Sequence, residues 1–328
     1  MTKKIDMVEQ IANDKATRQE LTRSSFFWFI HIFLGHHIED ELAPFQEEMM
    51  ALAEDEKIKL MVIMAFRGSG KSTILNLAYA LWAILGKQQK KFIVILSNTQ
   101  AQARNHFANI KQELEFNELL SQDLGPFRVD EGSWNSYSLE LEHFGAKIIS
   151  VSREQSIRGM RYRERRPDLI ICDDVEDTNY ESNSERKNLS TWFLGELLPS
   201  GNEDTKFIVL GNLTYENSLL MELRKDIMKG YSKDSVFRAY PIADHKGRPL
   251  WPKKFPKKKI AELLKRLPTS IKNREYFLKI LPEMIIILDE DSEGVSLDSD
   301  FPPRQAPIIK KMEKYDIHCP YISNRAII

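Results

Sequence analysis

Apolar residues recur along this chain in two rhythms, and the switch between them lays out the elements. Residues 7–35 mix polar and apolar positions at helical spacing, and residues 45–54 resume it after Pro44. Leu60–Ala65 is a short apolar run of strand type. A loop ending Gly70-Lys71-Ser72-Thr73 follows it, and then an amphipathic helix to Leu85. Lys91–Ser97 (KFIVILS) is near-continuously apolar, as in a parallel strand covered on both faces. Thr99 is placed to cap a helix reaching about Leu120. Residues 121–145 read as looser β and turn structure around Gly125-Pro126 and Gly132. Ala146–Val151, Asp168–Asp173 and Lys206–Gly211 read as further strands, 183–198 and 217–229 as helices, and Ser235–Tyr240 as a last, edge strand. Strands alternating with helices from 60 to 240 predict an α/β three-layer sandwich around a mostly parallel central sheet.

The pattern changes near residue 241, from which point ten of the 14 prolines occur. Four regions are expected: an N-terminal helical segment (1–58), a core (59–240), a Pro/Lys-rich linker with two helices (241–288), and an acidic, poorly ordered tail or remnant (289–328). Six acids and no base lie between Asp289 and Asp300. At 328 residues, 42% hydrophobic and 29% charged, the chain has the composition of a soluble globular protein. The net charge of −1 means that any electrostatic case must come from local clusters. Only Cys172 and Cys319 occur, with no CxxC, which argues against a disulfide framework or zinc knuckle and suits a reducing cytoplasm. The N-terminus, MTKKIDMVEQ, is too polar for a secretory signal, and the apolar run Phe26–Leu34 is too short to span a bilayer. That run reads as an aromatic helix face on the core. The seven histidines show no ligand spacing, and His36-His37 read as structural or surface residues.

The candidate chemistry starts at the loop after Ala65. A strand, a loop ending Gly70-Lys71-Ser72 and a helix put free backbone N–H groups and a helix N-terminus where a polyphosphate sits. Gly68, Ser69, Gly70 and Thr73 would line it, Lys71 would meet the β/γ-phosphates, and Ser72 would ligate Mg²⁺. Ala65 stands where the usual G-x-x-x-x-G-K-[ST] pattern has its first glycine, so the match is imperfect. The competing reading, a chance GKS in a turn, is weakened by the flanking strand and helix. About a hundred residues later, Leu169-Ile170-Ile171-Cys172 leads into Asp173-Asp174. Two carboxylates at the C-terminal end of a buried parallel strand suit hydrolysis, Asp173 for the Mg²⁺ shell and Asp174 for activating water. Glu176 and Asp177 are alternatives for the second role. Gln46, in Pro44-Phe45-Gln46, could pair with both edges of adenine, against the reading of a surface glutamine at a helix start. Gly211-Asn212-Leu213-Thr214 ends the next strand, where Asn212 and Thr214 could sense the terminal phosphate, against a simple strand-ending turn.

Two basic clusters stand out. Arg158, Arg161, Arg163, Arg165 and Arg166 fall within nine residues, and Lys253, Lys254, Lys257, Lys258 and Lys259 within seven. Both suit sequence-independent phosphate contacts with DNA. A charge run is by default a solvated face, and that reading is the stronger one for the lysines.

Taken together, AFRGSGKST, the upstream PFQ, SIRGMRYRERRPDLIICDD, the strand end GNLT and LWPKKFP near Trp251 resemble the large terminase subunit of tailed bacteriophages over roughly residues 20–285. The resemblance implies a P-loop NTPase of the RecA-like, additional-strand (ASCE) class that hydrolyses ATP with Mg²⁺ to drive double-stranded DNA into a procapsid. It implies a portal protein and a small terminase subunit as partners, a homo-oligomeric ring, and a place in the host cytoplasm. It gives Lys71 and Ser72 the phosphate and Mg²⁺ roles, Asp173 and Asp174 the acidic roles, Gln46 the adenine contact and Gly211–Thr214 the coupling role. Arg67 takes the place of the loop arginine that neutralises transition-state charge. Asp174 departs from the glutamate of many relatives. No complete nuclease is expected: the run Glu283–Asp291 leads to an acid such as Asp289, but only roughly forty residues follow, too few for a two-metal site. Two other classes remain open at this stage. One is a superfamily 2-like helicase fragment, against which Lys246-Gly247-Arg248 stands alone before a proline. The other is an assembly-only ATP-binding subunit.

Overall fold

A computed structural model describes residues 9–128, 134–176, 183–230 and 233–279. Asp177, the Glu283–Asp291 run with Asp289, the 289–328 tail and Cys319 lie outside the described residues. Seven strands form one sheet: β1 (Leu60–Ala65), β2 (Phe92–Ser97), β3 (Ser138–Leu141), β4 (Ala146–Ser152), β5 (Leu169–Asp173), β6 (Lys206–Gly211) and β7 (Ser235–Tyr240). Their order is β3-β4-β2-β5-β6-β1-β7. All pairings are parallel except β3 with β4. The fold is thus the expected mostly parallel, P-loop-type sandwich, and β6 is the additional strand, lying between β1 and β5. β3 sits within the stretch read only as looser β and turn, and β7 is the edge strand.

The apolar runs split by parity, as a period of two demands. Met61, Ile63, Ile95, Ile171 and Ile208 face one buried layer, while Val62, Met64, Val94, Ile170 and Val209 face the other. The first layer is covered by α1 (Lys15–Ser24), α2 (Phe26–Phe33), α3 (Pro44–Glu54), the helix after the loop, and α5 (Gln100–Phe116). α7 (Asn183–Trp192) and α8 (Leu219–Met228) supply Leu189, Leu220 and Leu223 to the second. Asn117 ends α5 and caps α6 (Glu118–Leu124), so the single helix expected to Leu120 is two.

The helix after the loop is wound as a π-helix over Thr73–Ala78 before α4 (Tyr79–Leu85) continues it. It is not amphipathic in place: every residue from Ile74 to Leu85 is buried. The N-terminal helices wrap its outer side. Phe26 packs 5.5 Å from the rings of both Tyr79 and Trp82, and Trp82 Nε1 donates to the Thr22 carbonyl at 2.8 Å. Residues 241–279 also fold back onto this layer. Trp251 packs against Phe45 and Phe255 against Phe66, while Trp251 Nε1 donates to the Glu41 carbonyl.

Lys206, the first residue of β6, is buried, and its ammonium donates to the carbonyls of Leu52, Ala53 and Asp55 at 3.0, 2.6 and 2.9 Å. The carbonyls of Leu52 and Ala53 are end groups of α3 with no partner within the helix, and Asp55 follows as its cap. Burial pushes the lysine down to about 7, and Asp55 opposes that shift.

Trp82 is fully buried beneath the N-terminal helices, so Trp82→Ala should lower unfolding stability by about 3–5 kcal/mol in a denaturant titration, through the cavity it leaves.

Candidate nucleotide site

The loop is shaped by its backbone. Gly68 and Gly70 have φ of +86° and +83°, a region that glycine occupies without strain. At Gly70 a Cβ would lie 2.9 Å from Gln46 Nε2, so the loop also needs that position bare. Phe66 N–H donates to the Tyr240 carbonyl of β7, and Ile74 N–H to Gly70, tying the loop's start to the sheet and its end to the helix.

Three strand ends meet here because their registers are level. Met64 of β1 pairs Gly211 of β6, and Leu210 of β6 pairs Asp173 of β5. Lys71, itself buried, reaches over this edge: its Nζ lies 3.5 Å from Asp174 Oδ2 and 3.2 Å from Asn212 Oδ1. A cavity of about 300 Å³ opens beside it, lined among others by Lys71, Asp174, Glu176, Asn212, Thr214 and Arg67. Gly211 packs closely beneath α8, where a Cβ would come within 2.7 Å of the Leu220 side chain and push it aside.

The two aspartates differ. Asp173 is 1% exposed; its Oδ2 accepts from Asn76 Nδ2 at 3.0 Å and faces His106 Nε2 at 3.7 Å, while Oδ1 has no hydrogen-bond partner. Asp174 sits at φ +48°, a conformation that a β-carbon disfavours, and so turns its half-exposed carboxylate into the cavity. Burial by the cavity walls and the neighbouring Asp173 push its pKa up, against the pull of Lys71. Glu176 has both oxygens engaged, Oε1 by Leu219 N–H at 2.5 Å and Oε2 by the Thr214 hydroxyl at 3.4 Å. Burial raises it to about 7.

Not every expected residue reaches the cavity. Gln46 is not among the residues that line the cavity. It is 1% exposed, its Oε1 accepts from Ala43 N–H and its Nε2 donates to the Ser69 carbonyl at 2.8 Å. An amide held at both ends and sealed from solvent braces the loop. Ser72 and Thr73 stand half-buried where the loop enters the helix. Arg67 is turned along the cavity rim: its guanidinium pairs with Glu275 at 3.0 Å, and its backbone N–H donates to the Glu275 carbonyl.

The basic clusters lie elsewhere, and none of their residues lines the cavity. Arg158 pairs with Glu196 and Arg163 with Glu140, each at 3.5 Å, while Arg166 donates to the carbonyls of Pro199 and Gly201 before β6. Arg161 and Arg165 are exposed. Lys253 and Lys254 reach Glu41 and Glu39 at 3.4 Å. Lys257, Lys258 and Lys259 open α9 (Lys257–Lys265), exposed and with no acid in its first turn.

Sequence reasoning missed Asn76, His106 and Arg274. Asn76 sits on the π-wound turn, a winding that recurs at functional sites. Arg274 lines the cavity with its Nε buried and unpartnered. No local signal marks it; only the return of residues 241–279 brings it there.

The chain is similar to the ATPase domains of phage large terminases. Against the HK97 bacteriophage large terminase it has 18% identity and a TM-score of 0.47, covering 72% of this chain and 50% of that one. Against the Thermus phage P74-26 large terminase ATPase domain the identity is 14% and the TM-score 0.49, covering 71% and 92%. The large terminase from the thermophilic bacteriophage D6E, in complex with ADP, gives 9%, 0.49, 72% and 53%. The chain thus spans about half the length of the HK97 and D6E proteins. No family model and no curated protein sequence matches it.

A carboxyl raised from about 4.3 to about 7 in the folded state binds more protons than in the unfolded chain between those values. Its stabilisation is therefore full below about pH 4.3 and lost as pH rises through about 7. Melting temperatures across that window should fall less with rising pH in Glu176→Gln than in the parent chain.

Proposed function

We propose that this chain is an ATP-hydrolysing motor subunit of a phage DNA-packaging terminase. The observation that carries the reading is the convergence of three strand ends on one cavity, with Lys71 Nζ within 3.5 Å of Asp174 and Asn212. The combined motifs, rather than the overall likeness to other structures, support the terminase assignment.

In this reading the loop N–H groups and Lys71 bind the phosphates. The residues present fit a divalent ion: Asp173 Oδ1 is buried and without a hydrogen-bond partner at the end of β5. Ser72 and Asp173 would hold Mg²⁺, which when bound neutralises phosphate charge. Asn76 holds the other oxygen of Asp173. Asp174 is the group that accepts a proton from water, since it is the carboxylate that opens into the cavity and its raised pKa suits a base. Glu176 takes a different part. With one oxygen on Thr214 and the other on the first N–H of α8, it would link the strand end that meets the terminal phosphate to that helix. Arg67 and Arg274 are the arginines placed to neutralise charge from within this chain.

Double-stranded DNA is gripped through phosphates by the exposed lysines of α9 and by Arg161 and Arg165. Three lysines in the first turn oppose the helix dipole, a local cost consistent with a polyanion-binding surface. The portal, a small subunit, a ring of copies and the host cytoplasm follow from the same assignment. So does the division into a helical segment (1–58), an ATPase core (59–240), a linker (241–288) and a tail (289–328).

Lys71→Ala should abolish DNA-stimulated phosphate release while keeping the parent's circular dichroism spectrum; unchanged turnover would overturn the mechanism. Asp174→Asn should retain ATP binding and lose about 10²–10⁴-fold in turnover, the range of a general base. An equal loss in Glu176→Gln, with Asp174→Asn active, would exchange their roles.

A further inference from the structure

A second cluster lies away from the nucleotide cavity, where the turn Gly35–His37 after α2 meets α5. His36 Nε2 and His37 Nε2 both point at one oxygen of Glu113, Oε1, at 2.9 and 2.8 Å. The three ligand atoms lie within 4.8 Å of one another. Adjacent residues on a helical turn diverge by about 100–120°, yet these imidazole rings stand 4.3 Å apart, tilted by 40°. The convergence is therefore imposed by a shared partner rather than by chain geometry.

Glu113 is held for that purpose. Its side chain is 8% exposed, and its Oε2 accepts from Asn117 Nδ2 at 2.9 Å. Asn117 is itself fixed by the Phe33 carbonyl and by capping α6. The hydrogen bonds from His37, Asn117 and His36 offset the cost of burying this carboxyl. Carboxylates that bind metals are commonly oriented in the same way, by a hydrogen bond from outside the site. His36 is half-exposed, which leaves one side of the trio open to solvent.

We propose that His36, His37 and Glu113 form a binding site for a divalent transition ion of the zinc class, with water in the remaining position. Two imidazole nitrogens and one carboxylate suit zinc, whereas magnesium and calcium take oxygen ligands. With metal–ligand bonds of about 2.0–2.1 Å, tetrahedral ligands lie about 3.3 Å apart. Opening the trio by about half an ångström admits the ion. The site would join the N-terminal helices to α5, which carries His106 and Gln102 towards the nucleotide cavity, so it acts as a structural clamp. No histidine spacing in the sequence marks it, because the third ligand stands 76 residues beyond His37.

The test uses the full chain stripped of metal, titrated with Zn²⁺ in excess Mg²⁺ so that the nucleotide site is occupied. We expect one zinc per chain by equilibrium dialysis and a melting temperature that rises and saturates with zinc. His36→Ala and His37→Ala should each weaken binding at least about tenfold and reduce the rise, and the double variant should abolish both. Because His36 is half-exposed, its variant should melt near the metal-free parent, separating lost ligation from misfolding. Absence of stoichiometric zinc in the parent, or undiminished binding in the double variant, would overturn the proposal and leave a plain histidine–carboxylate hydrogen-bond network.

Discussion

The hydrogen-bonded register of three parallel strands is the constraint on which the rest depends. β6 lies between β1 and β5, and the pairs Met64–Gly211 and Leu210–Asp173 bring all three C-terminal ends to one level. The phosphate loop, Asn212 and the two aspartates consequently emerge on the same edge, where open parallel sheets place their ligands. A slip of one residue in β5 would turn Asp173 to the opposite face of the sheet and break the arrangement. Burial on both faces specifies the register against that slip, since Ile170 and Cys172 fill one layer and Leu169 and Ile171 the other.

α3 transmits this constraint to the loop. At its start, Gln46 grips the Ser69 carbonyl; at its end, its last carbonyls close on the Lys206 ammonium of β6. One helix is thus fixed both to the phosphate loop and to the strand that ends in Gly211-Asn212. Leaving such buried polar groups unpaired costs about 1–3 kcal/mol each, which makes the loop's position a property of the fold. Asn76 extends the same logic to Asp173. The braced parts therefore surround the loop. The strand end Gly211–Thr214, by contrast, is tied to α8 through one carboxylate, Glu176, whose raised pKa marks a connection that is costly to keep charged.

Much of the fold was legible in sequence because its signals are local. A parallel strand covered on both faces is an apolar run whatever its neighbours, so Lys91–Ser97 and Lys206–Gly211 identified themselves. Pro44 and Thr99 act within a few residues of themselves. Other features depend on approach from far along the chain and left no local trace. The helix after the loop has an amphipathic pattern, yet α1 and α2 bury its outer face. The amide of Gln46 is joined to a carbonyl 23 residues away, a contact that no neighbouring residue announces. β3 is short and antiparallel, and it is defined by pairing with β4 more than by its own pattern.

The sequence by itself determined the α/β alternation, the phosphate loop and the acidic strand end, because periodicity, glycine conformation and side-chain chemistry are properties of short segments. Only the tertiary structure decided which groups meet. It placed β6 between β1 and β5, turned Asp174 into the cavity and tied Glu176 to α8. It also paired Arg67 with Glu275 and set Glu113 beneath two histidines. Those choices follow from packing and hydrogen-bond satisfaction between segments as many as 208 residues apart, distances over which a linear pattern carries no physical signal.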